Sequence, residues 1–281
     1  MKQIGLACLN HENALGIFPS NGWGGGWVGD PDQGVGRRQP GGWIYHILPY
    51  LEQEALYNIG RGKTFDEKKI LNRTMVSTPL TVFTCPSRRR AAAWPVQSYY
   101  DLNWVNVEGV ATLQIARSDY AVNAGVATWV EHSKGPADLA SGANWPTKDA
   151  NGIAHQCSEI TMADVKDGSS NTFLAGEKYL NADHYHTGGD GGDNESLYCG
   201  NNNDIARVAY YDPASPGNNK LPMQDRPGIT DSYRFGSAHA AGLHFVFCDG
   251  SVRAISYSID PPTFVYLAHR QDGQALDASK Y

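Results

Sequence analysis

The side chains best suited to chemistry crowd the C-terminal third of this 281-residue chain. The densest run is His184-Tyr185-His186-Thr187-Gly188-Gly189-Asp190-Gly191-Gly192-Asp193-Asn194-Glu195, with Asn201, Asn202, Asn203 and Asp204 just downstream. Carboxylate and amide oxygens alternate there with glycines. Calcium takes about six to eight oxygen ligands on a flexible loop, and glycines let the backbone curl round the ion. Asp190, Asp193, Asn194, Glu195 and Asp204 are therefore candidate ligands, and calcium the candidate cofactor. The spacing does not follow the helix–loop–helix calcium pattern, so a solvated acidic loop stands as the competing reading. His184 and His186 would share a face on a strand and supply half of a zinc or copper site. The sequence names no third ligand for them.

A second constellation is His239, followed after nine residues by Asp249-Gly250. Leu243 to Cys248 is apolar and β-prone, Val252 and Ile255 lie beyond, and Asp249-Gly250 reads as the two-residue turn of a hairpin. The carboxylate would orient the imidazole for proton transfer in an enzyme. Alternatively, each side chain ties turn backbone and locks the hairpin, and this structural reading is adopted for His239, Asp249 and Gly250. No Gly-x-Ser-x-Gly elbow or phosphate-binding glycine loop is present. Cys85 precedes Pro86, but no histidine is assignable to it.

A third set is aromatic. Trp23, Trp27, Trp129 and Trp145 lie in Gly-rich stretches beside Asp and Asn. Flat aromatic faces with amide hydrogen-bonders suit a sugar ring, which has an apolar face and a polar rim. The same residues would equally plug the core of a loop-rich domain.

Composition narrows the field. The net charge is −6 with no basic stripe, which argues against a nucleic-acid partner. Arg88-Arg89-Arg90 reads as a short solvated loop. No apolar run reaches the roughly 18 residues that span a bilayer. The five cysteines, Cys8, Cys85, Cys157, Cys199 and Cys248, leave at least one unpaired within the chain. None is in a Cys-x-x-Cys pair, so a thiolate-rich zinc site is not expected, while one or two disulfides remain open. Cys248, inside an apolar strand, reads as a small buried hydrophobe.

The elements that must position these groups are partly legible. Ile4, Ala7, Cys8, His11 and Leu15 recur every three or four residues, which predicts a helix over 2–16 that stops before Phe18-Pro19. A second helix is expected over 43–59, divided at Pro49. Short strands are expected at 79–85, around Tyr120 and Val122, and over 171–177. The segment 129–156 is a long loop. A last short helix is expected over 262–268.

Several blocks, in order along nearly the whole chain, resemble a known family. They are Lys2-Gln3-Ile4-Gly5-Leu6-Ala7 with Phe18-Pro19, Trp43 with Leu48-Pro49-Tyr50-Leu51-Glu52-Gln53, and Phe83-Thr84-Cys85-Pro86-Ser87. Ser118-Asp119-Tyr120 with Asn123, Thr161 to Asp164, Asp167 to Thr172, Gly176-Glu177 and the His239 to Asp249-Gly250 motif complete the set. The family is one of secreted proteins of unassigned function, abundant in planctomycete bacteria, with a prepilin-type leader; it also carries a bacterial solute-binding-protein-like label. The resemblance implies an α+β, pilin-like fold: an N-terminal helix packed on an antiparallel β-sheet with long loop insertions. Residues 1–19 would be the C-terminal part of a spine helix whose apolar half lies upstream, and 20–281 a single head domain. It further implies export to the periplasm, cell surface or exterior, anchored by that helix, with other pilin-like subunits or secretion machinery as partners. A calcium loop in related pseudopilin heads lends support to the acidic run by analogy of fold. The expected function is structural, in a type II secretion or type IV pilus-like system. A surface module binding a solute or glycan is the alternative, and a metal-assisted hydrolase using the acidic loop and His239 ranks last.

Overall fold

The computed structural model describes residues 1–97, 104–130, 133–147 and 150–276. Helix α1 (Lys2–Leu15) buries Ile4, Gly5, Ala7, Cys8 and His11, positions that share one helical face. It stops at Gly16, whose φ of 77° is left-handed and whose N–H returns to Glu12 O, ahead of the proline expected to end it. The second expected helix is divided as Pro49 requires, into α2 (Trp43–Ile47), a 3-10 turn (Leu48–Leu51) and α3 (Glu54–Tyr57). Helix α4 (Phe65–Val76) was not anticipated. Thr64 and Glu67 start it with a reciprocal capping box. The strand expected over 79–85 is a 3-10 turn (Thr81–Phe83) instead, bent so that Phe83 enters the core.

Strands β1 (Ala93–Pro95) and β2 (Gln114–Ala116) form a small ribbon. The central sheet is built from β3 (Tyr120–Val126), β4 (Phe173–Glu177) and β5 (Ala206–Ala209), with two further strands from the C-terminal hairpin. A short helix, α5 (Leu139–Gly142), lies between β3 and β4, and a two-residue pair, β6 (Met223–Gln224) with β7 (Gly236–Ser237), precedes the hairpin. The hairpin is β8 (Leu243–Phe247) and β9 (Val252–Ile255), and α6 (Pro261–Ala268) follows. The order across the sheet is β5-β3-β4-β8-β9. Within this five-stranded sheet every pairing is antiparallel except β3 with β5, so the fold is α+β with a mixed sheet rather than a purely antiparallel one. The cause is the segment after β4. It stays at the end of the sheet where β4 finishes and β3 begins, so β5 must enter in the direction of β3.

Both faces of the sheet are covered. Val246 and Cys248 join Ile4, Ala7 and Cys8 of α1 in one core cluster. Leu243, Phe245 and Phe247 join Phe264 and Leu267 of α6 in another. Phe173 stacks on Phe245 at 3.8 Å between centroids, with Phe264 at 5.6 Å from Phe173. Two covered faces explain why 243–248 reads as one apolar run instead of an alternation. Asn123 of β3 ties α6 to the sheet, donating from Nδ2 to Phe173 O and Ala268 O. Helix α1 lies close: a Cβ at Gly5 would stand 2.4 Å from Val246 Cγ2.

The hairpin turn has three residues, not two. Gly250 N–H donates to Phe247 O and Phe247 N–H to Ser251 O, both at 2.9 Å, and Gly250 has φ 76°. That is a type I turn closed by a left-handed residue. Lys2 Nζ of α1 donates to Gly250 O at 2.9 Å. All five cysteines are free and buried, so no disulfide staples the chain. Among the described residues, no helix is long and apolar enough to cross a membrane.

Candidate functional site

The acidic segment and the arginine run meet at the end of the sheet where β4 finishes. Arg88 and Arg89 are not solvated; both are buried, which corrects the expectation for that run. Arg88 forks onto Asp225, with Nε 2.7 Å from Oδ2 and Nη2 3.1 Å from Oδ1, and donates to Lys178 O and Gly236 O. Arg89 grips both oxygens of Asp193 and stands 2.8 Å from Asp119 Oδ1. Lys178 Nζ donates to Asp193 Oδ1 at 2.9 Å and to the carbonyls of Gly192 and Asp204. Burial opposes ionisation of Asp193, but Arg89 and Lys178 outweigh it and hold the carboxyl well below the ordinary range.

Most of the oxygens expected to bind calcium accept protein donors, though Asp204 Oδ2 is buried without a partner among the described residues. Asp190 accepts from Asn181 N–H and Gly192 N–H, both at 2.8 Å. Asp204 Oδ1 accepts from Glu195 N–H at 2.8 Å, and Asn202 Nδ2 donates to Glu195 Oε2. Asn194 is buried beside them. Burial raises the carboxyl of Asp204 against the pull of Lys178. Of the five, Asp193 is ion-paired to Arg89 and Lys178, while Asp190, Glu195 and Asp204 are held by hydrogen bonds. His184 meets Thr187 at 3.1 Å, and His186 packs on Trp94 at 4.8 Å between centroids.

His239 and Asp249 do not meet. Asp249 sits in the hairpin turn beside α1, where its Oδ1 accepts from Ser251 N–H at 2.8 Å, so its structural role is a local one. His239 stands at the opposite end of β8, in the loop that follows β7. Its Nε2 is 3.7 Å from Cys85 Sγ and 3.5 Å from Glu177 Oε1. Cys85 follows the Thr81–Phe83 turn, and its N–H donates to Asp119 Oδ2 at 2.7 Å. Glu177 ends β4 and its side chain is 2% exposed. His244 of β8 donates from its backbone N–H to Glu177 Oε2 at 2.7 Å, and its ring Nδ1 lies 3.2 Å from the same oxygen. Tyr257 Oη lies 2.9 Å from His239 O and 3.0 Å from Ser237 O, which fixes the loop.

The thiol, imidazole and carboxylate donors of Cys85, His239 and Glu177 all fall within 4.8 Å of one another. Sequence reasoning missed Cys85 and Glu177 as members of a site, because Cys85 and His239 are 154 residues apart and only the sheet unites them. Two chemistries suit such a set: a thiol nucleophile with an imidazole base, or ligation of a cation. Burial, with the charges of Glu177 and Asp119, pushes the Cys85 thiol up, and this disfavours the free thiolate a nucleophile needs.

The tryptophans divide. Trp23 and Trp27 are core residues, 5.0 Å apart in an edge-to-face pair, with indole N–H groups donated to Arg37 O and Pro136 O. This corrects their assignment as ligand-binding residues; their rings are closed off from solvent. Trp145 is half-buried against that pair. Trp129 is 58% exposed. It stands on a groove of about 440 Å³ that His155, Gln156, Asn201 and Tyr210 also line.

A family model, SBP_bac_10, described as a protein of unknown function (DUF1559), matches residues 1–262. No curated protein and no solved structure matches the chain.

Proposed function

We propose, on the premise that the chain belongs to the SBP_bac_10 family of proteins of unknown function (DUF1559), that it is the displayed head of a pilin-like envelope protein. Its role is structural, in a type II secretion or type IV pilus-like assembly, and α1 continues upstream as the stem. The observation that carries this reading is the seating of α1. A helix keyed onto the sheet at Gly5, with Lys2 tied to the hairpin turn, is the arrangement that would couple a stem to a head. Leu6, on the outer side of the same helix, is 60% exposed and lines grooves on both flanks of α1. A neighbouring subunit would cover it.

The test is fractionation of the producing cell. The protein is expected in the envelope or sheared-surface fraction, and Leu6→Glu should reduce assembly while leaving the melting temperature of the head unchanged. Recovery of the native protein wholly from the cytosol would overturn the proposal.

A second reading rests on Trp129. An exposed indole beside the amides of Gln156 and Asn201 is the pattern that holds a sugar ring. Quenching of tryptophan fluorescence by oligosaccharides, lost in Trp129→Ala, is the expected signature. A glycan screen without a hit removes it.

A further inference from the structure

We infer that Cys85, Glu177 and His239 form a mononuclear site for a divalent transition-metal ion of the zinc type. Zinc bonds of about 2.3 Å to sulfur, 2.05 Å to nitrogen and 2.0 Å to oxygen, set at tetrahedral angles, put sulfur and nitrogen about 3.6 Å apart and nitrogen and oxygen about 3.3 Å apart. The chain holds Cys85 Sγ at 3.7 Å from His239 Nε2, and His239 Nε2 at 3.5 Å from Glu177 Oε1. These are two edges of a coordination tetrahedron, with the third donor pair inside the same 4.8 Å limit.

The donor chemistry fixes the class of ion. A thiolate is too soft a ligand for calcium or magnesium, and a mixed sulfur, nitrogen and oxygen set suits zinc and its neighbours. One thiolate and one carboxylate balance a divalent charge.

The surroundings act as a second layer of positioning contacts. His244 N–H holds Glu177 Oε2 and leaves Oε1 turned to the site. Asp119 anchors the Cys85 backbone. Tyr257 fixes the carbonyl of His239. The His239 side chain is 37% exposed, so the fourth position opens to solvent, as in sites that keep a water or an exchangeable ligand. The inference stands independently of the assembly role proposed above.

The experiment uses the full chain, reduced and stripped with a chelator, titrated with Co²⁺ as the optical probe and then with Zn²⁺ as competitor. One equivalent of Co²⁺ should give the intense visible bands of a four-coordinate ion and a near-ultraviolet thiolate charge-transfer band, both abolished by Zn²⁺. Cys85→Ser should lose the charge-transfer band, and Glu177→Gln and His239→Ala should each weaken binding at least tenfold. The other four cysteines remain in Cys85→Ser, so a band that survives in that variant overturns the assignment. Absence of a thiolate band in the unaltered chain overturns it as well. His239→Ala truncates a partly exposed side chain and, checked for its fold by circular dichroism, decides the matter if Cys85→Ser does not fold; unchanged affinity there refutes the site.

Discussion

Gly250 and Asp249 show how a single position can be read correctly for one reason and incompletely for another. Both are expected to serve the turn; Gly250 has the left-handed φ there, and Asp249 Oδ1 accepts from Ser251 N–H. A left-handed φ was legible from Asp-Gly itself, while contact with α1 was not. Gly250→Ala should cost about 1–2 kcal/mol for the left-handed backbone, since the new Cβ would also press on Leu9 Cδ1 at 2.8 Å. Asp249→Ala loses one exposed side-chain hydrogen bond and should cost about 1 kcal/mol or less. Urea melts of the two variants check the order, and an Asp249→Ala cost above that of Gly250→Ala would contradict this account. Arg89 was the reverse case. It looks solvated in a run of three arginines because its partners, Asp119 and Asp193, are distant in sequence. Arg89→Ala takes the shared cation from two buried carboxylates, leaving Asp193 to Lys178 alone, and should destabilise by about 3–5 kcal/mol, read as a fall in the denaturation midpoint.

At the scale of elements, those whose signal is local were legible. Helix α1, α6, β4 and the β8–β9 hairpin declared themselves by spacing, proline and turn chemistry. Helix α4 carries its capping box in plain view at Thr64 and Glu67, yet its apolar face is too weak to stand out. The 79–85 stretch misled because a short apolar run does not distinguish a strand from a turn that buries one phenylalanine.

The seat of α1 also holds a pair of buried histidines. His11 and His46 lie 5.3 Å apart, ring edge to face, and His11 Nδ1 is 2.9 Å from Ile17 O. Burial pushes His11 down to about 4 against the pull of the Ile17 carbonyl, and drives His46 well below its ordinary value. In the unfolded chain each titrates near about 6.5. Because the folded values are depressed, the stabilisation is complete above that pH and is lost as pH falls towards the folded values. His11 alone should remove about 1.5 kcal/mol between pH of about 6.5 and 5. Thermal melts across that window should fall in the unaltered chain and fall less in His11→Gln; parallel curves would refute the assignment.

The whole molecule is organised around one end of its sheet. There β3 begins, β4 ends, β8 begins, and the 178–205 segment packs across. Composition could not reveal this, because it depends on where the segment after β4 returns. The same crossing that makes β5 parallel buries the acidic residues among Arg89, Lys178 and Arg207, and at that end of the sheet Glu177 meets Cys85 and His239. Both oxygens of Asp190 and Asp193 and one of Asp204 already accept protein donors, so millimolar calcium should shift the melting temperature by no more than about 1 °C. A clear upward shift would reinstate the acidic segment as a calcium site.

Four of the buried free sulfurs, those of Cys8, Cys157, Cys199 and Cys248, amount to a set of internal stopwatches. An alkylating reagent cannot touch a thiol until its surroundings part, so the order of mass additions records the order in which the molecule comes undone. Label on Cys8 times the lifting of the first helix, label on Cys248 the exposure of the strand beneath it, and label on Cys157 the breach of the paired indoles.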